Sequence, residues 1–266
     1  MFTFLLKRFY QAVIVMFVIS LVAFSIQDNL GDPLRELVGQ SVSESVRQEL
    51  RDKMGLNDPF LVKYSRFLQN AVQGDLGTSY FFKRPALEVI LDKLVATLEL
   101  VFAAALIIVV VSIPLGVYSA IRPRSFLTKL IMAVSSIGIS IPVFLTAIML
   151  MYLFSIQLGW LPAYGRGETY NLLGWESGFF TWDGILHLIL PAVSLSSIML
   201  PLFIRLVRSE MLEQLSSEYV KFARAKGLDN NKVYYSHALK NTMLPVITVG
   251  GVQIGTMVAY TILTLS

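Results

Sequence analysis

Apolar and polar positions follow one another along this chain in long blocks, with apolar runs of roughly bilayer length separated by polar stretches. A hydrocarbon core about 30 Å thick takes about 20 helical residues, since a backbone N–H or C=O left unpaired there is costly. The blocks predict five spans, at 9–26, 96–121, 130–156, 185–207 and 244–265. Lys7 and Arg8 ahead of the first run have the look of a signal peptide. That run is long, however, and VAFSIQDN carries no A-x-A cleavage site, so an uncleaved span is predicted.

Two polar stretches show a finer period. In GLNDPFLVKYSRFLQNAVQGDLG, Leu61, Tyr64, Leu68 and Val72 recur at helical spacing after Asp58-Pro59, a helix start with proline in the first turn. This predicts a small helical insert over 28–95, either a lid on the spans or a docking surface for an external partner. Between the fourth and fifth spans, Leu212, Leu215, Tyr219 and Phe222 form an apolar stripe, with Glu218, Lys221 and Arg224 on a wettable face. Gly227 suits the left-handed residue that ends a helix, and Asp229 suits the cap of a second one through Val233, Tyr234 and Ala238. Leu244-Pro245 then opens the last span. The pattern is a helix, a tight turn and a helix, fitted either to a groove in a partner protein or to anionic lipid.

Composition narrows the class. The 266 residues are 55% hydrophobic and only 15% charged, with a mean hydropathy of +0.65, which points to an integral membrane protein. The absence of cysteine excludes disulfides, a thiol nucleophile and a cysteine metal site. His187 and His237 lie in separate segments, which argues against a histidine metal site. The net charge of +4 is explained by cytoplasmic loops rather than by a nucleic acid. Lys7 and Arg8, then Arg122, Arg124 and Lys129, then the basic 205–243 stretch place those three on the cytoplasmic side. The 157–184 stretch, with Arg166 against Glu168, Glu176 and Asp183, falls outside, as does 28–95. No G-x-x-x-x-G-K-[ST] phosphate loop is present, so nothing in the sequence is equipped to bind or hydrolyse ATP.

Inside the spans, Glu99 is the one acid, a functional candidate about one turn from the outer end of its span, where hydration is equally plausible. Pro114, Pro142, Pro191 and Pro201 interrupt apolar runs, as hinges or pathway lining, or as bends fixed by packing, the second reading being preferred. Arg205 and Arg208 are read as anchors of the fourth span at the inner interface, with solute binding as the minority alternative.

The 218–245 stretch resembles the cytoplasmic EAA loop of permease subunits in bacterial ABC importers, through ARAKGL at 223–228 and HALKNTMLPVIT at 237–248. GDLGTS, ATLEL, IPLGV, SIPVF, LGWLPAYG and LPAVSL extend the likeness from the first span to the fifth, in the form of the oligopeptide, dipeptide and nickel branch. Lys221-Phe222-Ala223 departs from the general Glu-Ala-Ala start, and the distance from Gly227 to Leu244-Pro245 is longer than in the general pattern. The branch shares that longer form.

The resemblance implies an all-α type I importer transmembrane domain with a first membrane helix at 1–27, the extracytoplasmic insert at 28–95, and a permease core at 96–266 carrying the coupling loop 205–243. Coupling to an ATPase would fall on Tyr219, Phe222, Ala223, Arg224, Ala225, Gly227, Leu228 and Asp229. Glu99, Pro142 and Pro191 are pathway candidates. It further implies a homologous second permease, ABC ATPase subunits that carry the ATP and Mg, and an extracytoplasmic solute-binding protein. The chain itself would be no enzyme and hold no cofactor. The location would be the bacterial inner membrane, multi-pass, with a cytoplasmic N-terminus. Solutes compatible with the branch are peptides, nickel chelates, glutathione and oligosaccharides. A sixth span is usual in the family, so a longer reading frame is expected. The competing readings are a stand-alone secondary transporter or channel, which needs its own ion site and usually internal repeats, and a membrane scaffold.

Overall fold

The structure is a computed structural model that describes residues 2–29, 44–53, 55–79, 82–172 and 175–265. It divides into two compact units, 1–92 and 93–266.

In the first unit, α1 (Phe2–Asn29) is a long apolar helix, followed by α2 (Glu44–Lys53) and α3 (Phe60–Val72). The α3 face that packs differs from the predicted stripe. Tyr64 is buried, with its ring against Phe17, Phe24, Phe60 and Phe67 and its hydroxyl 2.8 Å from Ser20 Oγ. Leu61 and Val72 are exposed instead. Aromatic area and one satisfied hydroxyl outweigh aliphatic spacing here, because Phe60, Tyr64 and Phe67 share a helix face of their own. The predicted insert residues 30–43 lie outside the described residues.

The second unit is built around α7 (Trp182–Ser216), against which α5 (Phe126–Ser140), α6 (Val143–Leu150) and α9 (Leu239–Leu265) pack. The helix α4 (Ala86–Ile121) starts ten residues before the predicted span, so Glu99 lies more than three turns inside it. Its buried side includes Ser112, Gly116 and Ala120 at four-residue spacing. A Cβ at Gly116 would stand 2.6 Å from Val207 Cβ and 3.0 Å from the Ile204 carbonyl oxygen. Between helices in lipid such small residues let backbones approach, and the resulting dispersion contacts replace a hydrophobic driving force. The core around this crossing comprises Leu100, Ala104, Ile108 and Val117 with Leu195, Met199, Phe203 and Val207.

Four described helices are long and apolar enough to cross a membrane. The predicted continuous span 130–156 is instead a broken pair, α5 and α6, bent by 108°. Pro142 is the cause. It disfavours helical geometry at the preceding residue, and Ile141 is extended at φ −91°, ψ 122°. With Pro142 at φ −60° as the residue that starts α6, the helix stops and restarts. A π-helical turn, Met151–Gln157, extends α6. Outside the helices, β1 (Tyr170–Leu172) and β2 (Trp175–Ser177) form a short antiparallel hairpin with Asn171 opposite Glu176.

The 205–243 stretch also departs from its predicted outline. Its first part belongs to α7, which runs on to Ser216. Beyond the turn, a π-helical segment Lys232–Ala238 continues directly into α9, so Pro245 lies in a helix interior rather than at a helix start. Only α8 (Glu218–Ala225) and the turn after it form a separate element.

Candidate functional site

The α8 element is set off from α7 by one residue. Ser217 is extended at φ −68°, ψ 154°, and its hydroxyl donates back to the Gln214 carbonyl at 2.5 Å, which leaves the start of α8 without a side-chain cap. Glu218 supplies negative charge in that first turn, where the helix dipole favours it. The break at Ser217 also explains why the predicted stripe fails: Leu212 and Leu215 sit on α7, Tyr219 and Phe222 on α8, and the two helices do not share a face. What α8 buries is Val220 and Ala223, packed in one cluster with Met211, Val233 and Ala238.

That anchoring turns the aromatic residues outward. Tyr219 is exposed, with its hydroxyl donating to Gln214 Oε1 at 2.7 Å. Phe222 is 62% exposed, and Lys226 Nζ lies 4.5 Å from the centre of its ring, a cation–π contact. Lys221 bonds Glu218 at 2.8 Å, while Arg224 and Ala225 are exposed. The result is an aromatic and cationic face on a rigid base.

The turn closes as its glycine predicts. Gly227 has φ +76°, the Gly227 N–H donates to the Arg224 carbonyl at 2.9 Å, and the Leu228 N–H reaches back to the Ala223 carbonyl at 3.3 Å. These two bonds are the paired C-terminal closure that satisfies the last carbonyls of α8. Leu228 is half-buried against the core. Asp229 Oδ2 then accepts the Asn231 N–H at 2.9 Å and starts the next helix. Of the eight predicted coupling residues, Tyr219, Phe222, Arg224, Ala225, Gly227 and Asp229 are solvent-facing. Ala223 and Leu228 point inward and hold the element.

A second constellation gathers at the other end of α7. Glu99 Oε2 pairs with Arg166 Nη2 at 3.3 Å, and Glu99 Oε1 accepts the Gly178 N–H at 3.1 Å. The same Arg166 nitrogen bonds the Glu176 carbonyl. Nearby, Thr181 Oγ1 accepts the Gly184 N–H at 3.0 Å and caps α7, while Asp183 Oδ2 accepts the Glu168 N–H at 2.8 Å. His187 Nδ1 lies 2.8 Å from the Asp183 carbonyl. Glu99 is 9% exposed and fully partnered, so it ties α4 to the 157–184 segment instead of standing free in the membrane. Arg166 was not a sequence candidate. Being the sole cation of an acidic outer stretch, opposite the sole acid of a span, was the signal that could have found it.

Pro191 is half-buried inside α7, and Pro142 is exposed at the break between α5 and α6. The two do not join Glu99 in one site.

Comparison with known proteins follows the same outline. Residues 112–266 match the family described as the binding-protein-dependent transport system inner membrane component, and residues 1–101 match the N-terminal part of such membrane components. The chain is 38% identical over 256 residues to the oligopeptide transport system permease protein AppB of Bacillus subtilis, covering 96% of this chain and 79% of that protein. It is 34% identical over 277 residues to the dipeptide transport system permease protein DppB of Alkalihalophilus pseudofirmus, covering 99% and 83%. It is also 35% identical over 272 residues to the probable D,D-dipeptide transport system permease protein DdpB of Escherichia coli, covering 97% and 80%.

Proposed function

Since the chain belongs to the family of binding-protein-dependent transport system inner membrane components, we propose that it carries peptides across the bacterial inner membrane and is driven through the exposed face of α8. It is a multi-pass permease subunit of an ABC importer and no enzyme, and ATP hydrolysis lies on a separate subunit. The family works with an ATPase and a solute-binding protein. Membership sets aside the stand-alone transporter and the scaffold.

The substrate reading rests on the relatives, which are named for dipeptides and oligopeptides. The coupling reading rests on one observation: α8 buries Val220 and Ala223 while presenting Tyr219, Phe222, Lys226 and Arg224 outward. A helix held this way transmits a push, because its inner residues are in the core and its C-terminal end is closed by hydrogen bonds. The ATPase subunits hold the ATP and Mg, the N-terminus and α8 share the cytoplasmic side, and a homologous second permease completes the pathway. Glu99, paired with Arg166, steadies the outer mouth rather than touching solute.

Uptake of a labelled dipeptide into proteoliposomes that hold the assembled transporter tests this reading. Accumulation that requires both internal ATP and external binding protein supports it. Uptake that proceeds without either contradicts it.

A further inference from the structure

The inner half of α7 carries two arginines that no described carboxylate neutralises. Arg205 Nη2 donates to Ser136 Oγ at 3.1 Å, and Arg208 Nη1 lies 3.6 Å from Met132 Sδ. Arg208 Nε is buried without a partner. Both residues face α5, as does Pro201 one turn above Arg205, whose Cγ would stand 3.3 Å from a Cβ at Gly138. Two guanidinium groups a turn apart on one helix repel each other unless an anion lies between them. Each offers five donors and spends them here on a hydroxyl and a thioether, the weakest partners available. A planar oxyanion matches the fork geometry of such groups.

Depth decides which oxyanion. The basic turn with Arg122, Arg124 and Lys129 marks the start of α5. Ser136 lies ten residues further along that helix, about 15 Å at 1.5 Å per residue. Arg205 therefore sits deeper along α5 than that turn, and Arg208, against Met132, lies nearer to it. Ser136 and Ser140, one turn apart on α5, are exposed, as are Ile141 and Pro142 just beyond its end, where the helix breaks. Open backbone at membrane depth is tolerated where it is covered by protein or lines a water-filled cavity. Exposed serines and an exposed arginine beside a chain break point to the cavity.

We propose that Arg205 and Arg208, with Ser136, form a carboxylate-binding station on the translocation path. Resting on the peptide reading above, it receives the substrate's terminal carboxylate. Every peptide carries that group whatever its side chains, so the station recognises the class and not the sequence. Arg205, exposed and hydrogen-bonded to Ser136, makes the first contact. Arg208, half-buried one turn further along α7, adds its positive charge from behind.

The test is uptake of alanyl-alanine by the assembled transporter in proteoliposomes, with wild type, Arg205→Gln, Arg208→Gln and Arg205→Lys. Loss of one charge-assisted contact predicts about a tenfold slower uptake in each Gln variant. The expected result also includes partial rescue in Arg205→Lys. The same defect should appear in vesicles with and without phosphatidylglycerol. A defect confined to vesicles with anionic lipid would reassign the arginines to headgroup binding and overturn the proposal. Wild-type uptake rates in the Gln variants would overturn it while leaving the peptide reading intact. A wild-type transporter that accumulates no dipeptide would sink the peptide reading and the station with it.

Discussion

At the scale of single residues, the α8 turn depends on Gly227. Nothing lies within 4 Å of a Cβ added there, so space is no obstacle, and the constraint is the backbone at φ +76°. A β-branched side chain in that region costs about 1–2 kcal/mol. Gly227→Val is therefore expected to loosen the closure formed by the Gly227 and Leu228 N–H groups. ATP hydrolysis should persist while uptake falls, measured together in one proteoliposome preparation, and equal loss of both would speak against a coupling role. Residue chemistry of this local kind was legible in the sequence. A glycine at a helix end, an aspartate two residues on and their hydrogen bonds follow from neighbours in the chain alone. The Glu99–Arg166 pair was not legible in the same way, because 67 residues separate its members and only packing brings them together.

Among whole elements, the spans were readable as apolar lengths, but their ends and interruptions were not. Apolar length alone cannot distinguish α5 and α6 from one continuous helix. The break depends on what Pro142 does to Ile141, and the sequence reading took such prolines as bends. Likewise a stripe drawn through Leu212, Leu215, Tyr219 and Phe222 assumed one helix, and a single extended residue, Ser217, divided it. The α4–α7 crossing offers a direct check on packing. Gly116→Ala introduces a methyl at 2.6 Å from Val207 Cβ and should cost about 1–3 kcal/mol through overpacking. A lowered thermal transition in detergent is expected. No shift in Gly116→Ala would mean that the helices stand further apart.

For the whole molecule, the account needs α8 on one side of the membrane and the 157–184 segment on the other. The chain has no cysteine, so single cysteines can report sidedness without background. Cysteine at Lys226 should react with an impermeant maleimide only in inside-out vesicles, and cysteine at Tyr164, which is exposed, only in intact spheroplasts. The reverse pattern would invert the topology and remove α8 from any cytoplasmic partner. The central claim remains that the outward face of α8 is where the ATPase engages. The most direct measurement is recovery of the ATPase subunit with this chain in mild detergent, comparing wild type with Phe222→Asp, which places an acid on the exposed face and leaves Val220 and Ala223 untouched. The account predicts that the ATPase accompanies the wild type and is lost from the variant, while the variant keeps its own thermal transition. An ATPase that remains bound to Phe222→Asp at wild-type levels would contradict it.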